Sequence, residues 1–198
     1  AEDGIRDDLV TGVQTCALPI SDSEITVHNL DMKDPQGDKE LLTVLQKMGA
    51  KLKVDEKAKT VQVGKGGELK GITVDINRFV DAITILAVLA CYAKGTTVIK
   101  GALVAKHKEC NRIACITKEL RKMGAKIEET EDGLVVTGGA LQGATVHSHG
   151  DHRMAMSLAV AAMGAKGKTQ VNAVECVAKT FPFFSEVFQA AGAKIEEV

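Results

Sequence analysis

Aromatic side chains are scarce in this 198-residue sequence: five Phe, one Tyr and no Trp. So few rings leave little platform for stacking exposed bases. The formal net charge of −1 also lacks the basic excess with which proteins hold nucleic acid or anionic membranes nonspecifically. The longest apolar run, Ile83–Ala93, has Thr84 inside it and is far short of the roughly 20 residues a spanning helix needs. The five Cys include no C-x-x-C pair and the five His are scattered. Reduced thiols of a cytoplasmic protein are therefore expected, with no metal site. Pro is rare, and after residue 20 there is no Pro-, Ser- or single-charge run of the kind that marks a linker. Residues 21–198 read as one domain, long enough for a real core.

The first twenty residues read differently. Ala1–Ile20 shows neither a helical nor a strand period and resembles a translated sequencing-library adapter, so it is set aside from the fold. That tail carries four acids and one base, which leaves +2 on the rest.

What the sequence does have is an internal repeat. Leu45-Gln46-Lys47-Met48-Gly49-Ala50-Lys51-Leu52 returns as Leu120-Arg121-Lys122-Met123-Gly124-Ala125-Lys126-Ile127 and again as Phe188-Gln189-Ala190-Ala191-Gly192-Ala193-Lys194-Ile195. Each copy has the form of a last helical turn, a Gly just past the helix end and a strand start. The three glycines lie 75 and 68 residues apart, room enough for a whole α/β unit. A second pattern, Leu86-Ala87-Val88 with Ala93-Lys94-Gly95, matches Leu158-Ala159-Val160 with Ala165-Lys166-Gly167 at an offset of 72. Helices are expected near 37–48, 79–93, 109–123, 151–164 and 181–191. Strands are expected at 60–63, 96–100, 134–137 and 169–172.

Unusual charges gather where these helices begin. Asp81 stands early in the second. Lys106, Lys108, Glu109 and Arg112 surround the start of the third, His152 and Arg153 open the fourth, and Lys179 and Thr180 precede the fifth. Cations at a helix start oppose its dipole, and an anionic ligand using both the cations and the free N–H groups explains them economically. Arg suits a carboxylate fork and Lys a phosphate, while Asp81 and Glu109 are candidates for acid–base work. Taken singly, each has a plainer explanation. Asp81 can be a dipole partner, Glu109 and Arg112 an ordinary i, i+3 surface pair, His152 a helix-end hydrogen bonder, and Lys179 solvated surface. Lys47, Arg121 and Lys122 read as solvated helix faces.

Five segments resemble one family. Lys106-His107-Lys108-Glu109-Cys110-Asn111-Arg112-Ile113, Asp151-His152-Arg153-Met154-Ala155-Met156 and Ala178-Lys179-Thr180-Phe181-Pro182 are similar to 5-enolpyruvylshikimate-3-phosphate synthases, also called 3-phosphoshikimate 1-carboxyvinyltransferases. Gln36-Gly37-Asp38 and Asp75-Ile76-Asn77-Arg78-Phe79-Val80-Asp81-Ala82 fit in the same order, with Val80 where many members carry Pro. The resemblance, over roughly residues 25–198, implies an α/β fold of repeated βαβαββ units, the inside-out α/β barrel of the enolpyruvyl transferases, here one domain of a two-domain enzyme. It also implies transfer of the enolpyruvyl group of phosphoenolpyruvate to the 5-hydroxyl of shikimate 3-phosphate, with phosphate released and neither metal nor organic cofactor required. On that basis Asp81 accepts the proton of the attacking hydroxyl and Glu109 serves as acid and base at the methylene. Lys108 binds shikimate 3-phosphate, Arg112 and Arg153 hold the phosphoenolpyruvate carboxylate, Lys179 holds its phosphate, and His152 supports the site. The amino-terminal domain that completes such a site is expected to be missing, leaving this fragment inactive by itself. The alternatives are a UDP-N-acetylglucosamine enolpyruvyl transferase and a non-catalytic anion-binding module.

Overall fold

The structure is a computed structural model that describes residues 25–30, 32, 39–64 and 67–196. The tail at 1–20 and Gln36-Gly37-Asp38 lie outside them. In chain order the elements begin β1 (Ile25–His28), α1 (Glu40–Met48), β2 (Leu52–Asp55) and β3 (Thr60–Val63). Next come β4 (Thr73–Asp75), α2 (Ile83–Tyr92), β5 (Thr96–Lys100), α3 (Arg112–Lys122), β6 (Lys126–Glu129) and β7 (Leu134–Thr137). The last are β8 (Thr145–His147), α4 (His152–Gly164), β9 (Gln170–Asn172) and α5 (Phe184–Ala190). Short 3-10 turns at Val80–Ala82, Leu103–His107 and Val174–Lys179 sit between a strand and the helix that follows it.

The 3-10 turn at Val80–Ala82 explains why α2 starts later than the periodicity predicts, while α3 and α5 start about three residues late because residues 109–111 and 181–183 are turn and loop backbone ahead of the helix. The apolar pattern does not reveal where such backbone gives way to the α-helix. The strands fall where alternation places them, the last one residue shorter.

All three expected helix ends close in the same way. Gly49, Gly124 and Gly192 are left-handed, with φ of 99°, 84° and 96°. Their N–H groups donate to the carbonyls of Gln46, Arg121 and Gln189, and the next residues, Ala50, Ala125 and Ala193, donate to Leu45, Leu120 and Phe188. This paired closure satisfies two orphan carbonyls each time, and Gly takes the left-handed backbone without a Cβ penalty. The first two copies then enter β2 and β6.

β1, β3 and β2 form an antiparallel sheet, in that order. β4, β5, β7 and β6 form a second, in which β4 and β5 are parallel and the other pairs antiparallel. β8 and β9 are a parallel pair. Isolated parallel bridges join Lys70 to Lys94 and Gln142 to Lys166, again 72 residues apart.

The core is built around α2, whose side chains from Ile83 to Cys91 are all buried. A helix apolar on every side belongs inside, and α3 and α4 pack against it. Two polar links cross the α2–α4 contact: the Ser157 hydroxyl donates to Thr84 Oγ1 at 2.9 Å, and Tyr92 OH donates to the Ala161 carbonyl. Among the described residues no helix is long and apolar enough to cross a membrane. Because α2, α3 and α4 each follow a strand's carboxyl end, their first turns share one end of the core, where open α/β sheets bind ligands.

One backbone contact decides whether the β8–β9 pair closes. A Cβ on Gly143 would lie 2.1 Å from the Lys168 carbonyl oxygen, and backbone cannot step aside as a side chain can. Gly143→Ala is therefore expected to cost about 1–3 kcal/mol in urea unfolding. Gly139→Ala, which meets nothing within 4 Å, should stay within about 0.5 kcal/mol of wild type. Equal effects of the two would show that the close approach does not govern closure.

Candidate active site

Arg112 organises this end of the molecule. It is the first residue of α3, and its side chain is 1% exposed. A guanidinium cannot be deprotonated and is costly to bury unpaired, so every donor must find an acceptor. Nε donates to Asp151 Oδ2 at 2.7 Å, Nη1 to Asp81 Oδ1 at 2.7 Å and Nη2 to Glu109 Oε2 at 2.7 Å. Nη2 also lies 3.4 Å from Asp151 Oδ1.

Asp81 lies in the 3-10 turn before α2 and is the other hub. Besides Arg112 it pairs with Lys108 Nζ at 3.2 Å and with Arg153 Nη2 at 3.3 Å. Burial opposes its ionisation, but Arg153, Arg112 and Lys108 together outweigh that and hold the carboxyl below its ordinary 3.8. Asp151, fully buried, is likewise held down. There burial is overcome by the hydrogen bond and charge of Arg112 and by the N–H groups of Arg153 and Met154.

Those two N–H groups bear on the helix-start expectation. Asp151 is the N-cap of α4 and accepts from Arg153 N–H at 2.8 Å and Met154 N–H at 3.3 Å. Asn111 caps α3 in the same way, accepting from Ala114 N–H. Amide groups expected to await a ligand are thus already used by caps, and the cations are balanced by side-chain carboxylates. Lys108, Arg112 and Arg153 face Asp81, Glu109 and Asp151 in a cluster without net charge.

His152, the first residue of α4, is 12% exposed and brings Nδ1 to 3.8 Å from Glu109 Oε1. Burial disfavours its protonated form, and the neighbouring Arg153 and Arg112 add to that. The charges of Asp151 and Glu109 fail to offset them, so its pKa lies below 6.5. The structure therefore brings Asp81, Lys108, Glu109, Arg112, His152 and Arg153 together. The Glu109–Arg112 pair is not the ordinary surface pair its i, i+3 spacing allows, because its cation is buried. None of the hydrogen bonds and ion pairs described for this cluster reaches Lys179. It is exposed, at the end of the 3-10 turn that packs on α4.

Two residues read as solvated are exposed as expected, and each also makes a specific contact. Arg121 donates twice to the Ile127 carbonyl, at 3.0 and 2.8 Å, and Lys122 Nζ lies 2.6 Å from Glu119 Oε2. The structure also shows what the sequence reading missed: Asp151 as clamp on Arg112, and Glu119, wholly buried. Both 112 and 119 fall on the apolar stripe of α3 with Ile113, Ile116 and Leu120, and charges on a buried stripe are the signal that was available.

The comparison with protein families settles the kinship. The EPSP synthase (3-phosphoshikimate 1-carboxyvinyltransferase) model matches residues 6–188. The chain belongs to this family. A 3-phosphoshikimate 1-carboxyvinyltransferase of Acetivibrio thermocellus is 44% identical over 176 residues, 89% of this chain and 41% of the relative. One from Ruminiclostridium cellulolyticum is 44% identical over 177 residues, 89% of this chain and 41% of the relative. A solved EPSP synthase from Acinetobacter baumannii superposes with a TM-score of 0.88 at 27% identity, covering 95% of this chain and 46% of that one. The mixed α/β fold is thus that of EPSP synthases, and the UDP-N-acetylglucosamine alternative gains no support. The chain spans about two-fifths of the length of the curated relatives it matches.

Exposure ranks the counter-ions of Arg112. Asp151→Asn leaves a buried cation short of its fully buried partner and is expected to cost about 3 kcal/mol or more in urea unfolding. Glu109→Gln removes a partner 43% exposed and should cost less than about 1 kcal/mol. Similar losses would mean that burial does not set the ranking.

A pH dependence follows as well. His152 binds its proton less readily folded than unfolded, so its contribution is present above 6.5 and is lost as pH falls below it. The depressed carboxyls Asp81 and Asp151 contribute above 3.8 and lose that contribution as pH falls through their lower values. Stability should therefore decline in two stages on acidification, and His152→Gln should remove the upper stage. An unchanged upper stage in that variant would assign it elsewhere.

Proposed function

We propose that this chain supplies one side of a site that transfers the enolpyruvyl group of phosphoenolpyruvate to the 5-hydroxyl of shikimate 3-phosphate. The observation that carries this reading is the meeting of six charged or titratable side chains from three helix starts in a chain of the EPSP synthase family. The matched parallel pairs, bridges and Gly-closed helix ends at offsets near 72 support repeated βαβαββ units arranged as an inside-out α/β barrel. On this reading the chain acts in the cytoplasm, needs no cofactor, and depends on an amino-terminal domain to complete the site.

In the proposed reaction the 5-hydroxyl oxygen bonds to C2 of phosphoenolpyruvate and C3 takes a proton, giving a tetrahedral intermediate. Loss of phosphate from C2 and of a proton from C3 then yields the enolpyruvyl ether. Arg112 and Arg153 receive the phosphoenolpyruvate carboxylate, Lys108 the 3-phosphate of shikimate 3-phosphate and Lys179 the phosphate of phosphoenolpyruvate. Asp81 takes the hydroxyl proton, Glu109 exchanges the C3 proton, and His152 supports Glu109.

The ion pairs explain how Asp81 becomes a base. A carboxylate held low by three cations is a weak proton acceptor. When anionic substrates draw Arg112, Arg153 and Lys108 toward themselves, that restraint is relieved and the pKa of Asp81 rises. Substrate binding thus switches on its own base, and the exposed Glu109 is the counter-ion most readily displaced from Arg112.

The test uses phosphate release from phosphoenolpyruvate and shikimate 3-phosphate. The 198-residue chain by itself should show no turnover, since half a cleft forgoes positioning worth about 7–11 kcal/mol. A chimaera in which residues 21–198 replace the matched segment of the Acetivibrio thermocellus relative should be active. In it Asp81→Asn and Glu109→Gln should each lower kcat by about a hundredfold or more. An inactive chimaera would overturn the function, turnover by the chain alone would overturn the need for a second domain, and unaffected variants would overturn the assigned roles.

A further inference from the structure

We infer that Glu119 is a positioning residue, whose buried carboxylate fixes the loop from His147 to Gly150 and through it the placement of Arg153 over Asp81. The inference rests on the proposed function for what the start of α4 binds, and extends it to a residue to which that function gives no part.

Glu119 lies seven residues after Arg112 on α3, two turns along the same face. Arg112 grips Asp151 at one end of the β8–α4 connection, and Glu119 grips the other end. Its Oε2 accepts from the His147 N–H at 3.0 Å and from Lys122 Nζ at 2.6 Å, and its Oε1 lies 2.9 Å from His149 Nε2. A carboxylate with no exposure needs several donors to stay ionised. Burial opposes ionisation here, but Lys122, His149 and the His147 amide hold it below the ordinary range.

What Glu119 holds is a strained backbone that its own short-range hydrogen bonds secure only in part. His149 has φ of 56° and Gly150 φ of 74°, two successive left-handed residues of which only the second lacks a Cβ. A non-glycine residue in that region costs free energy and persists where its surroundings dictate it. Here the His149 amide donates to His147 Nδ1 at 2.8 Å, the Gly150 amide donates to Ser148 Oγ, and Ser148 Oγ in turn donates to the Ala173 carbonyl. The acceptor at His147 Nδ1 puts that ring's proton on Nε2 when neutral, and His149 donates Nε2–H to Glu119.

Glutamine at 119 keeps the volume but offers one acceptor and one amide donor where two carboxylate oxygens received three donors. Its amide group turned toward His149 forces that ring to change tautomer and accept, and turned away it faces the His147 N–H and Lys122 with donors alone. Either way the loop loses one of its side-chain anchors.

The experiment is NMR on the full 198-residue chain, with kinetics on the chimaera. In the wild type the His149 nitrogens should show Nε2 protonated and bonded. In Glu119→Gln, with the fold retained by circular dichroism, the Asp81 carboxyl should titrate higher, toward its ordinary value, because Arg153 is no longer held beside it. The KM for phosphoenolpyruvate in the chimaera should rise about tenfold, with kcat within about threefold. His149→Asn removes the ring contact while Asn tolerates the left-handed backbone, so it should move both readouts the same way by less. It also decides the matter by itself if Glu119→Gln does not fold. An unmoved Asp81 titration and an unchanged KM in folded variants would overturn the inference and leave Glu119 a structural acid. An inactive wild-type chimaera would defeat the proposed function instead, and the Asp81 titration would still decide this point.

Discussion

The buried guanidinium of Arg112 is the constraint from which the rest of this end of the molecule follows. A cation with 1% of its side chain exposed survives only if carboxylates come to it, because desolvation costs several kcal/mol unless excellent geometry repays it. They come from three elements: Asp151 from the cap of α4, Asp81 from the turn before α2, and Glu109 from the turn before α3 itself. The ion pairs therefore set the mutual placement of three helix starts, which the apolar packing of α2 against α3 and α4 fixes only in outline. Hydrophobic burial supplies most of the stability, while the directional bonds select one arrangement.

The three carboxylates differ in how firmly they are held, and exposure orders them. Asp151 is fully buried, Asp81 is 32% exposed and Glu109 43%. A buried partner cannot leave without stranding Arg112, whereas an exposed one exchanges with water, which screens it well. The cluster thus has a fixed counter-ion on its inner side and exchangeable ones on its outer side. On the proposed function a substrate carboxylate replaces a carboxylate already present. Before substrate arrives, no cation waits unpaired in a half-buried site.

Much of this was legible in the sequence, and the parts that were not share a cause. The three Gly-Ala-Lys repeats identified helix ends correctly, because that closure is local and Gly is specific for it, although among the described residues the third is not followed by a strand. The apolar run at 83–93 marked the central helix, and charges at helix starts marked Asp81, Lys108, Glu109, Arg112, His152 and Arg153 as neighbours. The starts of α2, α3 and α5 were placed about three residues early because a 3-10 turn before α2, and turn or loop residues before α3 and α5, cannot be told from a first α-turn in sequence. Partners were harder: Arg112 and Asp151 are 39 residues apart, and Glu119 and His149 are 30 apart. Helical spacing says which side of α3 they occupy, not what arrives there from β8. Arg121 and Lys122 are exposed as expected, but their contacts were hidden for the same reason, since long cationic stems reach carbonyls and carboxylates that local pattern does not reveal.

On the proposed function, electrostatics also explains what a second wall would add to this cluster. Asp81, Lys108 and Glu109 are each between about a third and a half exposed, so water screens their attraction for any anion to a fraction of its interior strength. The same charges in a closed cleft act through a lower dielectric, and every ion pair there strengthens, both with its present partner and with a competing substrate. Closure alone does not favour substrate over Asp81 or Glu109. Preference arises only if the covering surface adds contacts to the substrate that the protein's own carboxylates do not receive. On the proposed function those contacts come from the part of the relatives beyond this chain's span. Its contribution is differential, favouring bound substrate over the resting ion pairs of Arg112.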